Sequence, residues 1–245
     1  MANGDGVWHR GMSARIRAPR TPAERPSMVT TIGILGAGRV GSAIARTALK
    51  AGYAVTIAGS GAAADIQLIV DIVIPGASAM SAAEVAASAD LVVLAVPMHK
   101  FRSVDPATLA GAIVIDTMNY WQPIDGELPE VATDPRGSSE IVADHFATAR
   151  LVKTLNHIGY HDLETDARPA GHPDRHALAI AGEPQAASVV AEVIERFGFD
   201  AVYAGPLAAG AAFEPGSAVF GGRHTAAELT AELQFAAAAD DATAA

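Results

Sequence analysis

Thr31-Ile-Gly-Ile-Leu35 is a compact apolar run, and it passes directly into Gly36-Ala-Gly38-Arg-Val-Gly41. The first stretch reads as a buried strand, and residues 40–51 carry a helical pattern. A G-x-G-x-x-G set between a strand and a helix is the context that a dinucleotide-binding turn requires. In that context Gly36 allows the tight turn, Gly38 lets backbone approach a pyrophosphate, and Gly41 lets the helix pack on the sheet. The start of the helix offers unpaired N–H groups and a positive dipole end to the phosphates. Ala37, Arg39 and Val40 complete the loop expected to line them.

The next strand, Ala54-Val-Thr-Ile-Ala58, falls within the span expected of the motif. Its end decides which dinucleotide is held, because an NAD site usually places a carboxylate there for the ribose 2′-hydroxyl. Here the chain reads Ala58-Gly-Ser-Gly61, with no acid and with a Ser60 hydroxyl able to bond a 2′-phosphate. NADP(H) is the expected cofactor. No arginine follows Ser60. Arg39 is the nearest candidate cation in sequence, and it reads equally well as a solvated surface residue.

Further along, residues 64–73 read as helix, and Asp90-Leu-Val-Val-Leu-Ala-Val96 as a strand buried on both faces. Ala112-Ile-Val-Ile-Asp116 and Arg150-Leu-Val-Lys-Thr154 repeat that character. Continuous apolar runs separated by helices imply a parallel sheet covered on both sides. Strands at 177–181 and 200–203, a helix at 184–197 and a last helix at 225–233 close the pattern. The expected fold is α/β, a Rossmann-type doubly wound, mainly parallel sheet with a small C-terminal α/β extension. The expected organisation is a disordered leader at 1–28, a dinucleotide-binding domain at 29–155, a small α/β region at 156–235 and a flexible tail at 236–245. Residues 119–139 are polar and proline-containing, long for a plain connection, and so either functional or mobile.

Composition narrows the function. The chain has 245 residues with 17 basic and 27 acidic side chains, a formal charge of −10. That balance argues against a nucleic-acid surface. The absence of cysteine excludes disulfides and thiolate chemistry. No apolar run approaches the roughly 18–20 residues of a membrane helix. A cytoplasmic protein serving small-molecule coenzymes is expected, with no membrane or nucleic-acid partner.

Residues 31–60, Leu91-Val-Val-Leu-Ala-Val-Pro97, Val114-Ile-Asp-Thr-Met-Asn-Tyr-Trp121 and Leu151-Val-Lys-Thr-Leu-Asn-His-Ile-Gly-Tyr-His-Asp-Leu163 together carry a family resemblance. With Gly205-Pro-Leu and Glu214-Pro-Gly216, they resemble the coenzyme F420-dependent NADP oxidoreductases over nearly all of residues 30–222. The glycine motif is common to many Rossmann proteins, whereas the Lys153/Asn156 and Met118–Trp121 segments are more specific to this group. The resemblance implies hydride exchange between NADP(H) and the deazaflavin of coenzyme F420. Members often carry an arginine after the position of Ser60, and its absence here bears on NADP selectivity.

Such a transfer needs two rings held in near contact, with the nicotinamide at the carboxyl ends of the central strands. Ala95, Val96 and Pro97 can form an apolar wall there. His99 can bond either ring system, and is the one catalytic candidate, or it is a solvated loop residue. His99, Lys100 and Arg102 form the compact basic cluster of the body, able to meet an anionic coenzyme tail. Met118 and Asn119, with Tyr120 and Trp121, either floor a planar ring or pack in the core. Asn156 and His157 follow a strand end and can face the same cleft. Lys153, if buried, needs a partner or a cofactor phosphate.

The His157/His161 and His172/His176 pairs have a four-residue ligand spacing, but Gly159 and Pro173 interrupt them, so no metal site is expected. The rival readings are an NADPH-dependent reductase of a small imine or carbonyl and a non-enzymatic NADP(H) sensor. The imine or carbonyl reductase would need a proton donor, with His99, Tyr120 or His157 as candidates. The region after residue 150 is short for a helical dimerisation domain, which favours an open cleft. A homodimer is expected.

Overall fold

Alternation along β1 (Thr31–Leu35) sends Ile32 and Ile34 to one face of a sheet and Leu35 to the other. The same division recurs in β4 (Leu91–Leu94) and β5 (Ile113–Asp116), where Leu91, Val93, Ile113 and Ile115 join the first face and Val92, Leu94 and Val114 the second. Both faces are apolar, so both must be covered. The computed structural model describes residues 28–244, and all but Met28 of the expected leader lies outside them.

The remaining strands are β2 (Ala54–Ala58), β3 (Ser78–Ala79), β6 (Arg150–Lys153), β7 (Ala177–Gly182) and β8 (Asp200–Gly205). They form one eight-stranded sheet in the order β3-β2-β1-β4-β5-β6-β7-β8. Every pairing is parallel except β6 with β7. The first six strands follow the doubly wound Rossmann order, in which strand order reverses between β1 and β4. The region after residue 155 adds β7 and β8 to that same sheet.

On the first face lie α1 (Arg39–Lys50), α7 (Tyr160–Thr165) and α8 (Pro184–Phe197), through Ile44, Leu163, Val190, Val193, Ile194 and Phe197. On the second lie α3 (Ala82–Ser88), α6 (Ser138–His145) and a 3₁₀ turn at Met98–Ser103, through Val85, Ile141, Val142 and Phe101. Local chemistry sets the helix starts. Ser81 and Glu84 form a capping box on α3, and the Glu183 carboxylate accepts the N–H groups of Gln185 and Ala186 at the start of α8.

Two regions differ from the sequence pattern, and one helix that matches it has an unexpected exposed face. The 119–139 stretch contains two short helices, α4 (Gln122–Asp125) and α5 (Pro129–Ala132). The last helix, α9 (Ala226–Ala244), runs well past Leu233 through the alanine-rich end, as the high helix propensity of alanine favours. Finally, α2 (Ala63–Val73) buries Val70 fully but leaves Leu68, Ile69, Ile72 and Val73 exposed.

Candidate functional site

One row of register partners crosses the carboxyl rim of the sheet: Ala58, Leu35, Leu94, Asp116 and Lys153. The loops that leave this row border the crevice in which the fold holds its ligands.

The loop after β1 is constrained at both ends. Gly36 has φ +119°, a conformation that side chains rarely adopt, and a β-carbon there would meet the Ala95 carbonyl oxygen at 2.2 Å. A β-carbon at Gly41 would lie 1.9 Å from the Gly36 carbonyl oxygen. Gly38 is different: a β-carbon there would meet nothing within 4 Å. Gly38 is the N-cap of α1, without a side-chain cap, and the Ser42 N–H is bonded back to its carbonyl. The first turn of α1 carries no acid. A bare glycine facing open space at an uncapped helix start is the cradle that a pyrophosphate fits. Arg39 and Val40 are exposed beside it, while Ala37 packs against the core. Arg39 forms no ion pair among the described residues.

At the end of β2, Ser60 is exposed. The structure adds an acid that the run of small residues conceals. Asp65, in the first turn of α2, accepts the Ala62 N–H at 2.9 Å and lies close against Gly61. A carboxylate therefore does stand near this strand end, reached through a helix cap.

Beyond β4, Ala95 and Val96 are half-buried and Pro97 is exposed. Met98 and Phe101 anchor the 3₁₀ turn in the core, so His99, Lys100 and Arg102 face outward. They do not act as one free cluster. Arg102 lies over the Phe101 ring and pairs loosely with Glu130. His99 Nδ1 lies 2.9 Å from Asp125 Oδ1 on α4. Asp125 also accepts the His99 N–H and, through Oδ2, the Trp121 N–H. Burial acts to raise the Asp125 pKa, but these hydrogen bonds outweigh it and hold the carboxyl below its ordinary value. Trp121 and Ile124, which both precede that carboxylate in sequence, are exposed.

Met118 and Asn119 are held by backbone and side chain together. The Met118 side chain is buried in the core. Its N–H donates to Asp116 Oδ1 at 2.9 Å, and its carbonyl accepts from Lys153 Nζ at 2.6 Å. Asn119 and Asn156 clasp one another: Asn119 Nδ2 donates to the Asn156 carbonyl at 2.7 Å, and Asn156 Nδ2 donates to Asn119 Oδ1 at 3.0 Å. Lys153 is fully buried, with Asp116 and Glu214 each 3.6 Å from its ammonium and Ser138 Oγ accepting at 3.2 Å. Its partners are thus internal to the protein. Sequence gave no sign of Glu214 or Ser138 in this cluster, nor of Leu155, whose φ of +63° turns the chain between Lys153 and Asn156.

His157 does not face the cleft as a proton donor. It is buried, its Nε2 accepts the Ala179 N–H, and its ring stands edge-on to Phe213. Burial, with smaller contributions from the Lys153 and His224 charges, pushes its pKa down to about 3, so it is neutral at ordinary pH. Tyr120 has its hydroxyl bonded to the Gly126 carbonyl at 3.1 Å. Among the described residues, no three His, Asp or Glu side chains gather as metal ligands, and no helix is long and apolar enough to cross a membrane.

Strand order, crossovers and glycine turn define a Rossmann-type α/β protein. The family resemblance read from the sequence is shown by comparison: residues 31–120 match the model of the family described as NADP oxidoreductase, coenzyme F420-dependent. The matched segment runs from β1 to the loop after β5.

Among solved structures, the chain is 28% identical to the hypothetical protein SMa0349 from Sinorhizobium meliloti, with a TM-score of 0.69 over 80% of this chain and 95% of that one. It is also 28% identical to a protein of Arthrobacter sp. FB24 that carries a provisional name as an F420-dependent NADP reductase. There the TM-score is 0.62 over 74% of this chain and 86% of that one. A 3-hydroxyisobutyrate dehydrogenase of Mycobacterium tuberculosis shares the fold, at 18% identity and a TM-score of 0.53 over 76% of this chain and 57% of that one. No curated protein matches the chain.

Proposed function

We propose that the protein transfers a hydride between NADP(H) and the deazaflavin coenzyme F420. The observation that carries this reading is the open face of Gly38 at the uncapped start of α1, within the segment that matches the F420-dependent family. The backbone N–H groups of Arg39, Val40 and Gly41 would hold the pyrophosphate, and Ser60 with Arg39 would meet the 2′-phosphate. Ala95, Val96 and Pro97 would back the nicotinamide, and the braced Met118–Asn119 peptide would border the second ring. The nicotinamide supplies the hydride; the chain contributes position and dry surface.

Anaerobic mixing of the protein with NADPH and oxidised F420 tests the reading. Loss of the deazaflavin absorbance is expected, and its persistence at every pH would remove F420 from the proposal. The second reading is an NADPH-dependent reductase of a small imine or carbonyl, favoured by one observation, the His99 imidazole held by a carboxylate at the rim. NADPH oxidation by a cyclic imine without F420 turnover would select it. The expected cytoplasmic homodimer goes with either reading. The exposed aliphatic face of α2 offers surface for a second copy, and sedimentation at several concentrations tests that assembly.

A further inference from the structure

We infer that His99 and Asp125 form a proton-delivery dyad for the hydride acceptor, with His99 Nε2 as the donor atom and Asp125 as its positioning residue. The inference rests on the reductase reading above and adds to it the fate of the proton.

The geometry begins with the anchored turn. Met98 and Phe101 are 1% exposed, so the backbone between them is fixed by the core. His99 leaves that backbone outward, with its side chain 31% exposed, and meets an Asp125 side chain that is only 3% exposed. A carboxylate that merely capped α4 would need only the Trp121 N–H on Oδ2. Here Oδ1 is given wholly to His99, which approaches it through both its N–H at 3.2 Å and Nδ1 at 2.9 Å. The bond to Nδ1 places a proton there in the neutral ring, and that fixes the tautomer. Nε2 makes no hydrogen bond among the described residues. One ring nitrogen is therefore locked by a buried acid while the other remains free at the rim, the division of roles by which an imidazole serves as a general acid or base.

The chemistry gives such a group a task beyond positioning the rings. The C–H bond of the dihydronicotinamide breaks and its electron pair forms a new C–H bond on the acceptor, whose conjugated C=N or C=O is reduced while NADPH becomes NADP+. The displaced electron pair settles on the acceptor's nitrogen or oxygen and takes a proton from Nε2 of the imidazolium. The neutral ring keeps its Nδ1 proton on Asp125 and recovers the other from solvent through its exposed edge. In the reverse direction the same nitrogen accepts the proton. The charged groups on the elements that carry the dyad and on α5 are Asp125 on α4, Lys100 and Arg102 on the histidine's own turn, and Glu130 on α5, paired with Arg102.

Nitrogen-15 spectra of histidine-labelled protein without coenzymes provide the first test. His99 should show the Nδ1–H tautomer, and Asp125→Asn should abolish that preference while circular dichroism stays unchanged. Single-turnover hydride transfer from saturating NADPH to oxidised F420, and to a cyclic imine, provides the second. His99→Gln should slow reduction by roughly 100-fold or more, within the usual range of general acid catalysis, with NADPH affinity altered less than twofold. In Asp125→Asn the rate should also fall, with NADPH affinity altered less than about twofold, because the imidazole loses the carboxylate that orients it. Unaltered rates and pH profile in His99→Gln would overturn this inference alone. A wild-type protein that reduces neither acceptor would overturn the reductase reading and this inference with it.

Discussion

The Lys153 ammonium donates to the Met118 carbonyl at 2.6 Å, and it does so without exposure to solvent. Two neighbouring strand ends, β5 and β6, are thereby joined at the rim where the second ring is proposed to lie. Asp116 completes the brace by accepting the Met118 N–H, so the residue is held at both of its backbone polar groups. Removing one partner of a buried charged cluster strands the others. Lys153→Met is therefore expected to destabilise the protein by about 3–5 kcal/mol, read as a lower urea midpoint with an unchanged slope. The double variant Lys153→Met/Asp116→Asn should lose less than the two single losses added together, because each single change leaves an unpaired group that the double change removes.

Gly38 and Gly41 should separate binding from folding. A side chain at Gly38 enters open space, so Gly38→Val should cost the fold no more than about 1–2 kcal/mol, the preference of an N-cap for glycine over valine. Nucleotide affinity should fall by at least about 100-fold, because the side chain occupies the approach of the pyrophosphate. Gly41→Val places a methyl-bearing carbon against the Gly36 carbonyl and should destabilise the fold itself. Calorimetry with NADPH and thermal melts of both variants check the contrast. A Gly38→Val protein that binds normally would end the phosphate assignment.

The sheet was legible because its apolar runs are continuous and its glycines sit at the one turn where backbone geometry demands them. Gly36, at φ +119° against Ala95, shows why such a residue is readable: only one amino acid fits. The candidate site was less legible. His99 was visible as a possibility, but Asp125 lies 26 positions later and becomes its partner only through α4. Lys153 announced a need for partners, yet Glu214 reaches it across 61 residues of chain (214 less 153) by way of the tertiary fold. Asp65 is not legible there, because the strand end reads as small and uncharged until a helical turn brings the carboxylate back. The burial of His157 is hidden for a related reason, since the left-handed Leu155 leaves no mark in the sequence. Local backbone demands are written locally, whereas pairings between loops are not.

Asp65 and Arg39 should set the choice between the two nicotinamide dinucleotides in opposite senses. The carboxylate stands beside Gly61, next to the proposed 2′-phosphate position, and Arg39, which forms no ion pair among the described residues, is exposed at the start of α1. Asp65→Asn should raise the NADPH-over-NADH affinity ratio by roughly five- to tenfold, a coupling of about 1 kcal/mol for a charge at a partly solvated site. Arg39→Ala should lower the ratio by a similar factor. Titration of each variant with both nucleotides at low and physiological salt checks the signs, and the differences should shrink as salt rises.

Acid should act on the fold through His157. Its folded pKa of about 3 lies below the value of 6.5 expected in the unfolded chain, so the unfolded state binds the proton first. The stabilisation is complete above the unfolded pKa and is lost as pH falls from there toward the folded value, at up to about 1.4 kcal/mol per pH unit. Protonation would place a charge in the dry space beside Phe213 and would set the ring nitrogen against the Ala179 N–H it now accepts. In His157→Asn the amide oxygen can still accept that N–H, but nothing titrates. The variant should be less stable than wild type at pH values near 7, and its loss of stability between about pH 6 and pH 4 should be shallower. Urea titrations at intervals across that range, compared between the two proteins, isolate the histidine from the many carboxylates they share, and parallel curves would show that His157 titrates normally.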